Sequence, residues 1–144
     1  MTTETASRLF TVDEANHLIL VIHPKVVRVQ EAIVRARAQI ETAGANSRAG
    51  TRRDRARHAA LDEGAVSGLV QEARSLIAEI HAYGCLVNGP EAGMIDFPCL
   101  LGSELVFLCW KLGEPTVAHW HRIADGFAGR RPLLDARADK GWVH

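Results

Sequence analysis

Residues 11–40 read TVDEANHLILVIHPKVVRVQEAIVRARAQI, and this stretch decides the first half of the fold. Thr11 and Glu14 stand three residues apart, which is the pattern of a capping box, where each side chain accepts a hydrogen bond from the other residue's backbone amide. Apolar residues then recur every three or four positions, at Leu18, Ile22, Val26, Val29, Ile33, Ala36 and Ile40. This spacing predicts one long amphipathic helix.

A second helix is predicted from the same periodicity between Leu61 and Ile80, with Gly84 as its stop signal. Between the two helices, residues 42–57 combine small polar residues with five arginines and one aspartate, which is typical of a solvated loop. The two helices and this loop predict an antiparallel helical hairpin over residues 11–83, with an Arg-rich tip at 44–57.

After Gly84 the helical period is lost and short apolar runs alternate with turn residues. Residues 93–97 read as a strand ended by Pro98, residues 105–110 as a strand buried on both faces, and residues 117–121 as a third strand. The predicted fold class is therefore α+β, with a long antiparallel helical hairpin followed by a small antiparallel β-sheet. We expect a single domain over 1–144, in which 84–134 form the sheet and motif loops and 135–144 a tail.

Composition and charge narrow the function classes. The chain has 144 residues, 47% hydrophobic content and a formal net charge of zero, as expected for an ordinary soluble globular domain. Nothing global attracts nucleic acid or an anionic membrane, and we expect neither as a partner. No leader or membrane-spanning run opens the sequence, and three cysteines cannot all pair within one chain, so a cytoplasmic location is expected.

Five stretches of the chain form a recognisable set. They are residues 10–16 (FTVDEAN), 93–98 (GMIDFP), 108–114 (LCWKLGE), 120–121 (WH) and 126–130 (GFAGR). In their order and spacing the chain resembles the bacterial domain-of-unknown-function family 2203. The resemblance implies a small bacterial single-domain protein and no particular activity. The Arg-rich tip departs from the family pattern.

His119 and His121 are the candidate metal ligands. On a strand, side chains two residues apart project from the same face, whereas on a helix they lie about 200° apart. If residues 117–121 form a strand, both imidazoles converge, and with a nearby carboxylate or the thiol of Cys109 they would suit iron, zinc or copper. The alternative is two partly buried histidines that hydrogen-bond to backbone and solvent. The position of His121 in the Trp-His pair also matches the motif that the resemblance rests on.

Asp96 and Glu114 are the candidate catalytic carboxylates, each as a general base or as a further metal ligand. Asp96 lies between Ile95 and Phe97, and an acid in so apolar a setting is expected to be paired or functional. Its alternative role is a buried ion pair with Arg130 or Arg122. Glu114 stands between Gly113 and Pro115, and its alternative role is that of a turn residue facing water.

The segment Gly126–Arg130 is interpreted as a flap over a ligand. Its glycines would act as hinges, Phe127 would cover an apolar pocket, and Arg130 would bind a small anionic ligand. Trp110 and Trp120 would line the same pocket. The alternative is an ordinary loop in which the aromatic rings pack in the core and Arg130 pairs with Asp96 or Asp125.

Two functions from different classes fit these residues. The first is a metal- or small-ligand-binding protein, with a metal-dependent enzyme as its catalytic form, whose site lies in the C-terminal half. The second is a non-catalytic interaction module in which the helical hairpin dimerises and the motif residues only stabilise the sheet. A homodimer is expected because a helix of about 45 Å is longer than a domain of this size covers alone.

Overall fold

A computed structural model describes residues 8–46 and 50–133; the proposed tail at 135–144 lies outside them. Within the described residues the chain forms two helices followed by a five-stranded antiparallel sheet, which confirms the α+β fold. The elements are α1 (Val12–Asn46), α2 (Arg52–His81), β1 (Leu86–Val87), β2 (Met94–Leu101), β3 (Glu104–Lys111), β4 (His119–Arg122) and β5 (Arg131–Pro132).

The capping box begins α1 as predicted. The backbone N–H of Thr11 donates to Glu14 Oε1 at 2.9 Å, and the backbone N–H of Glu14 donates to Thr11 Oγ1 at 3.1 Å. The helix continues through Pro24 and has 35 residues, or about 52 Å at 1.5 Å per residue. Neither α1 nor α2, over the part of each that is described, holds an apolar stretch that would carry it across a membrane.

The loop between the two helices is shorter than the predicted 42–57. α1 continues to Asn46 and α2 begins at Arg52, so most of the Arg-rich segment is helical. Arginine and alanine are good helix formers, and their propensity outweighs the charge density that suggested a solvated loop. The side chains of Arg52 and Arg53 are exposed, whereas Arg48 lies outside the described residues.

The two helices pack side by side in opposite directions. Lys25 Nζ lies 2.7 Å from a carboxylate oxygen of Glu79, and Arg28 lies 3.6 Å from Glu72, so the two ion pairs connect α1 to α2. The hydrophobic core that joins the helices to the sheet extends along α1 as far as Val29. Eight-residue strands span only about 27 Å, so the far half of the hairpin extends past the sheet.

The sheet is a meander in which each strand pairs with its neighbour in sequence. The predicted β2–β3 hairpin is confirmed, but β2 does not end at Pro98, which pairs with Phe107 inside the strand. The carbonyl of Pro98 accepts from the backbone N–H of Phe10 at 2.7 Å, so this residue faces away from β3. Its missing N–H therefore costs no bond to β3, and the strand tolerates the proline.

The two outermost strands were missed by the sequence reading. β1 has two residues, and β5 pairs Arg131 with Trp120 and Pro132 with His119. Proline is compatible with an edge strand, since its missing N–H faces away from the neighbouring strand. Two-residue strands carry too little hydrophobic alternation to be found by pattern.

The two faces of the sheet differ in chemistry. The inner face packs against the helices and is apolar; its buried members are Ile95, Phe97, Cys99, Leu101, Val106, Leu108, Trp110 and Trp120. The outer face carries the alternate residues of the same strands, which include Asp96, Cys109, His119 and His121. The short 3-10 helix Phe127–Gly129 and Arg130 lie beside this outer face.

Candidate functional site

A buried polar cluster on the outer face is formed by Asp96, Cys109 and His121. Asp96 lies directly opposite Cys109 in the β2–β3 ladder. His121 lies on β4 on the same face of the sheet, two residues beyond His119, which is the residue opposite Cys109. All three residues are at most 3% exposed. Their potential ligand atoms all lie within 4.8 Å of one another, and in the described part of the chain no other group of three such residues does so.

Both ring nitrogens of His121 have hydrogen-bond partners. Nδ1 lies 2.8 Å from the carbonyl oxygen of Arg122, and Nε2 lies 3.1 Å from Asp96 Oδ1. A carbonyl oxygen only accepts, so Nδ1 donates to Arg122, and one proton is shared between Nε2 and the carboxyl group of Asp96. The geometry therefore describes a buried, hydrogen-bonded pair, in which removal of either partner leaves a buried polar group unpaired.

The thiol of Cys109 forms a further hydrogen bond to the side chain of Asp96. Burial, together with the negative charge of Asp96 and a hydrogen bond to it, raises the pKa of the Cys109 thiol to about 12. The thiol is therefore protonated at neutral pH and donates to the carboxylate. A thiol in this state is a poor nucleophile, because the thiolate is the reactive form.

Asn88 closes the cluster on its solvent side. Asn88 follows β1, and its Nδ2 donates to Asp96 Oδ2 at 2.9 Å. The side chain of Asn88 is exposed, whereas Asp96 is buried, so this amide is a contact between the cluster and the surrounding water. Asp96 is thus hydrogen-bonded to the amide of Asn88, the imidazole of His121 and the thiol of Cys109.

Glu114 and Arg130 form a second polar group at the end of β3. Arg130 Nη1 and Nη2 donate to the two carboxylate oxygens of Glu114 at 2.8 and 2.9 Å, and Nη2 also lies 3.3 Å from the carbonyl of Cys109. The backbone N–H of Lys111 donates to Glu114 Oε1 at 2.9 Å. Gly113 has φ of 106°, a value that L side chains rarely adopt, and this turn returns Glu114 towards Lys111.

Opposing effects set the pKa values of this pair. Desolvation raises the pKa of Glu114, but the hydrogen bonds from Arg130 and Lys111 and the positive charge of Arg130 outweigh it, so the pKa of Glu114 is lowered. Desolvation likewise lowers the pKa of Arg130, and the bonds and charge of Glu114 reverse this and raise it. The pair is ionised and bidentate, which is the strongest geometry for arginine and a carboxylate.

The Gly126–Arg130 segment is attached to the sheet by this pair. The guanidinium of Arg130 lies 4.5 Å from the centre of the Phe127 ring, and Lys111 Nζ lies 5.8 Å from it. A Cβ at Gly129 would lie 2.5 Å from the Cβ of Asp125, so this position requires glycine. Arg130 pairs with Glu114 rather than with Asp96 or Asp125, and its anionic partner is a residue of the protein itself.

The other predicted site residues lie apart from the cluster. His119 shares the outer face with His121, but it is absent from the group of converging ligand atoms. Trp110 and Trp120 are buried in the core on the opposite face, where Trp110 Nε1 donates to the carbonyl of Glu114 at 3.0 Å. They therefore do not line a pocket with His121.

Sequence reasoning missed Asn88 and underrated Cys109. Cys109 was a neighbour of the expected histidine pair, yet the structure makes it one of three converging groups. Asn88 gave a signal only as part of the turn before Gly89 and Pro90, and its place beside Asp96 depends on the pairing of Leu86 with Asp96. That pairing is invisible without the short β1.

Comparisons with known proteins give one match. Searches of curated proteins and of solved structures find no significant similarity. The model of one protein family, in contrast, matches residues 8–133, and this region contains all five stretches on which the sequence resemblance rested. The chain therefore belongs to the family described as uncharacterized conserved protein (DUF2203).

Proposed function

We propose that this protein binds a divalent transition-metal ion, best zinc, through Asp96, Cys109 and His121. The observation that carries the proposal is the convergence of a carboxylate, a thiol and an imidazole within 4.8 Å in the protein interior. Ligand atoms around a tetrahedral zinc ion lie about 3.4 Å apart. Nε2 of His121 and Oδ1 of Asp96 already lie 3.1 Å apart, and the widest of the three separations would shorten by at most about 1.4 Å. Oxygen, sulfur and nitrogen donors together favour zinc over magnesium or calcium.

The hydrogen bonds of the cluster would also allow a metal ion to replace protons on the three side chains. Nε2 of His121 would bind the ion in place of the proton that it shares with Asp96, while Nδ1–H keeps its hydrogen bond to the carbonyl of Arg122. A hydrogen bond of this kind fixes the orientation of metal-bound histidines in proteins. Cys109 would release its thiol proton, and Asp96 would exchange two hydrogen bonds for one metal contact.

Three protein donors leave one position of a tetrahedral ion for water or a small anionic ligand, and an ion with this ligand count supports hydrolytic or hydration chemistry. In this scheme Asp96 is a ligand rather than a general base. Glu114 and Arg130 hold the Gly126–Arg130 segment against the sheet beside the site. A cytoplasmic location is part of the proposal, because a reducing compartment keeps the free thiol of Cys109 available as a ligand.

Metal analysis by plasma mass spectrometry tests the proposal on protein purified without a histidine tag or chelator. We expect near-stoichiometric metal in the wild type, and its loss in Cys109→Ser and His121→Ala with the circular dichroism spectrum retained. His119→Ala is the matched control, since it removes an imidazole from the same strand outside the cluster, and it should keep the metal. Wild-type protein that is metal-free and takes up no added zinc or cobalt would disprove the proposal.

A cobalt spectrum provides a test that needs no variant. Cobalt in the proposed site binds a thiolate, so the wild type should show a sulfur-to-cobalt charge-transfer band in the near ultraviolet. Cobalt binding without this band would exclude Cys109 as a ligand. Because the ion would displace the proton shared by His121 and Asp96 and the thiol proton of Cys109, calorimetry in buffers of different ionisation enthalpy should give about two protons released per ion.

A further inference from the structure

The distal hairpin, defined as residues 32–44 and 63–74, has little of its apolar surface covered. Among its described residues, those classed as buried are alanines, namely Ala32, Ala36 and Ala73. Larger apolar side chains are left in water, with Val34 58% and Ile40 57% exposed. Two helices that cover one another only through alanines bury too little area to be stable alone, since most helical stability in proteins comes from tertiary packing.

An apolar groove runs between α1 and α2 on this distal hairpin. It has a volume of about 210 Å³. Apart from Arg37 and Arg74 its lining is entirely apolar, and the larger side chains in it are Ile33, Ile40, Val66, Leu69 and Val70. The arrangement has the composition of one half of a helical-bundle core.

The acidic and basic side chains that flank the groove occur in the same order along both helices, counted from the tip towards the sheet. On α2, Glu63 lies on the tip side of the groove, and Arg74 lies eleven residues, or about 16 Å, closer to the sheet. On α1, Glu41 lies on the tip side of Arg37. All four side chains are exposed, and none forms an ion pair with another residue of the described chain. Within the distal hairpin, each helix therefore carries an exposed glutamate on the tip side of an exposed arginine.

We infer that the groove is covered by the same groove of a second copy of this chain, in an antiparallel arrangement that forms a four-helix bundle. A two-fold axis perpendicular to the hairpin reverses the direction of one copy relative to the other. Glu63 then faces the partner subunit's Arg74, and Arg74 faces the partner subunit's Glu63. A parallel pairing would instead oppose Glu63 with the partner subunit's Glu63.

The charge pattern also favours a second copy over an unrelated partner. A uniformly acidic partner would match only Arg37 and Arg74, and a uniformly basic one only Glu41 and Glu63. A copy of the same surface, turned end for end, matches both. The apolar groove between these charges supplies the buried centre that a specific interface needs.

Analytical ultracentrifugation of the full chain over a concentration series tests this interface. We expect the wild type to dimerise and Val70→Asp to sediment as a monomer, because the carboxylate would be placed in the apolar groove. Leu20→Asp is the matched control, because Leu20 is 75% exposed on α1 but lies outside the groove. A wild type that is monomeric at every concentration, or a dimer that survives Val70→Asp, would overturn the inference.

Charge reversal tests the direction of the pairing. Arg74→Glu should weaken the dimer at least tenfold at low salt, and the double variant Glu63→Arg/Arg74→Glu should restore it, since both contacts are then re-formed with exchanged signs. Failure of the double variant to restore the dimer would reject the antiparallel arrangement. Circular dichroism of each variant verifies that the helices remain folded.

Discussion

The inner and outer faces of the sheet are built from alternate residues of the same strands, yet they are stabilised in different ways. On the inner face Trp110 and its neighbours pack against two helices, and their contribution depends on buried apolar area. On the outer face Asp96, Cys109 and His121 are equally buried, but each requires a particular partner. The comparison shows that one strand can carry both a general hydrophobic core and a specific polar network.

The largest effect on stability is expected at the inner face. Trp110→Ala removes a fully buried indole and the hydrogen bond from Nε1 to the carbonyl of Glu114. A loss of about 4 kcal/mol in the free energy of unfolding is expected for such a substitution. Urea denaturation measures it, with Leu105→Ala on the same strand as control, because Leu105 is exposed and should lose less than about 1 kcal/mol. Equal losses would contradict the assignment of the two faces.

A double-mutant cycle distinguishes the two kinds of burial. With chelator present, Asp96→Leu or His121→Leu alone should cost about 3 kcal/mol, because each leaves its partner buried and unpaired. The double variant should cost clearly less than the sum, since both partners become apolar. On the inner face, Ile95→Ala and Val106→Ala should add to within about 0.5 kcal/mol. Additive losses for Asp96 and His121 would show that they are not coupled.

The smallest effect is expected at the partly exposed edge of the polar network. Because the pKa of Glu114 is lowered by folding, its contribution is fully present above the ordinary value of 4.5 and is lost as pH falls through the folded value. Glu114→Gln should therefore be less stable than the wild type by about 1.5 kcal/mol at pH 7, with the difference shrinking below pH 4.5.

Thermal unfolding between pH 3 and 7 measures this difference. Glu104→Gln is the control, because the Glu104–Arg122 pair is more exposed than the Glu114–Arg130 pair and should contribute almost nothing. A stability difference for Glu114→Gln that does not change with pH would indicate that packing, and not the ion pair with Arg130, is responsible.

The helices and the central hairpin were predictable because their signals are local. The capping box at Thr11 and the three-and-four spacing identified α1, and the alternation of strand residues placed His119 and His121 on one face. The register of β2 with β3 follows from a two-residue turn at Gly102 and Ser103, which brings Asp96 opposite Cys109. That turn was recognised only as part of a broader one.

The composition of the site was less predictable because it depends on long connections. The position of His121 in the cluster depends on the register of β4 against β3, and the loop between these strands sets that register. No local sequence pattern predicts the path of such a loop. Sequence spacing alone therefore favoured His119 as the partner of His121. The structure brings Asp96 and Cys109 to it instead, from two other strands.

Pro98 has a consequence for the behaviour of the protein at high concentration. β1 covers only two residues of β2, so the outer edge of β2 beyond Asp96 would offer free backbone groups to another strand. At Pro98 there is no N–H to donate, and its carbonyl is already bound to Phe10. A proline in the middle of this edge, with its carbonyl already bonded, makes β2 a poorer template for the edge-to-edge pairing of another strand.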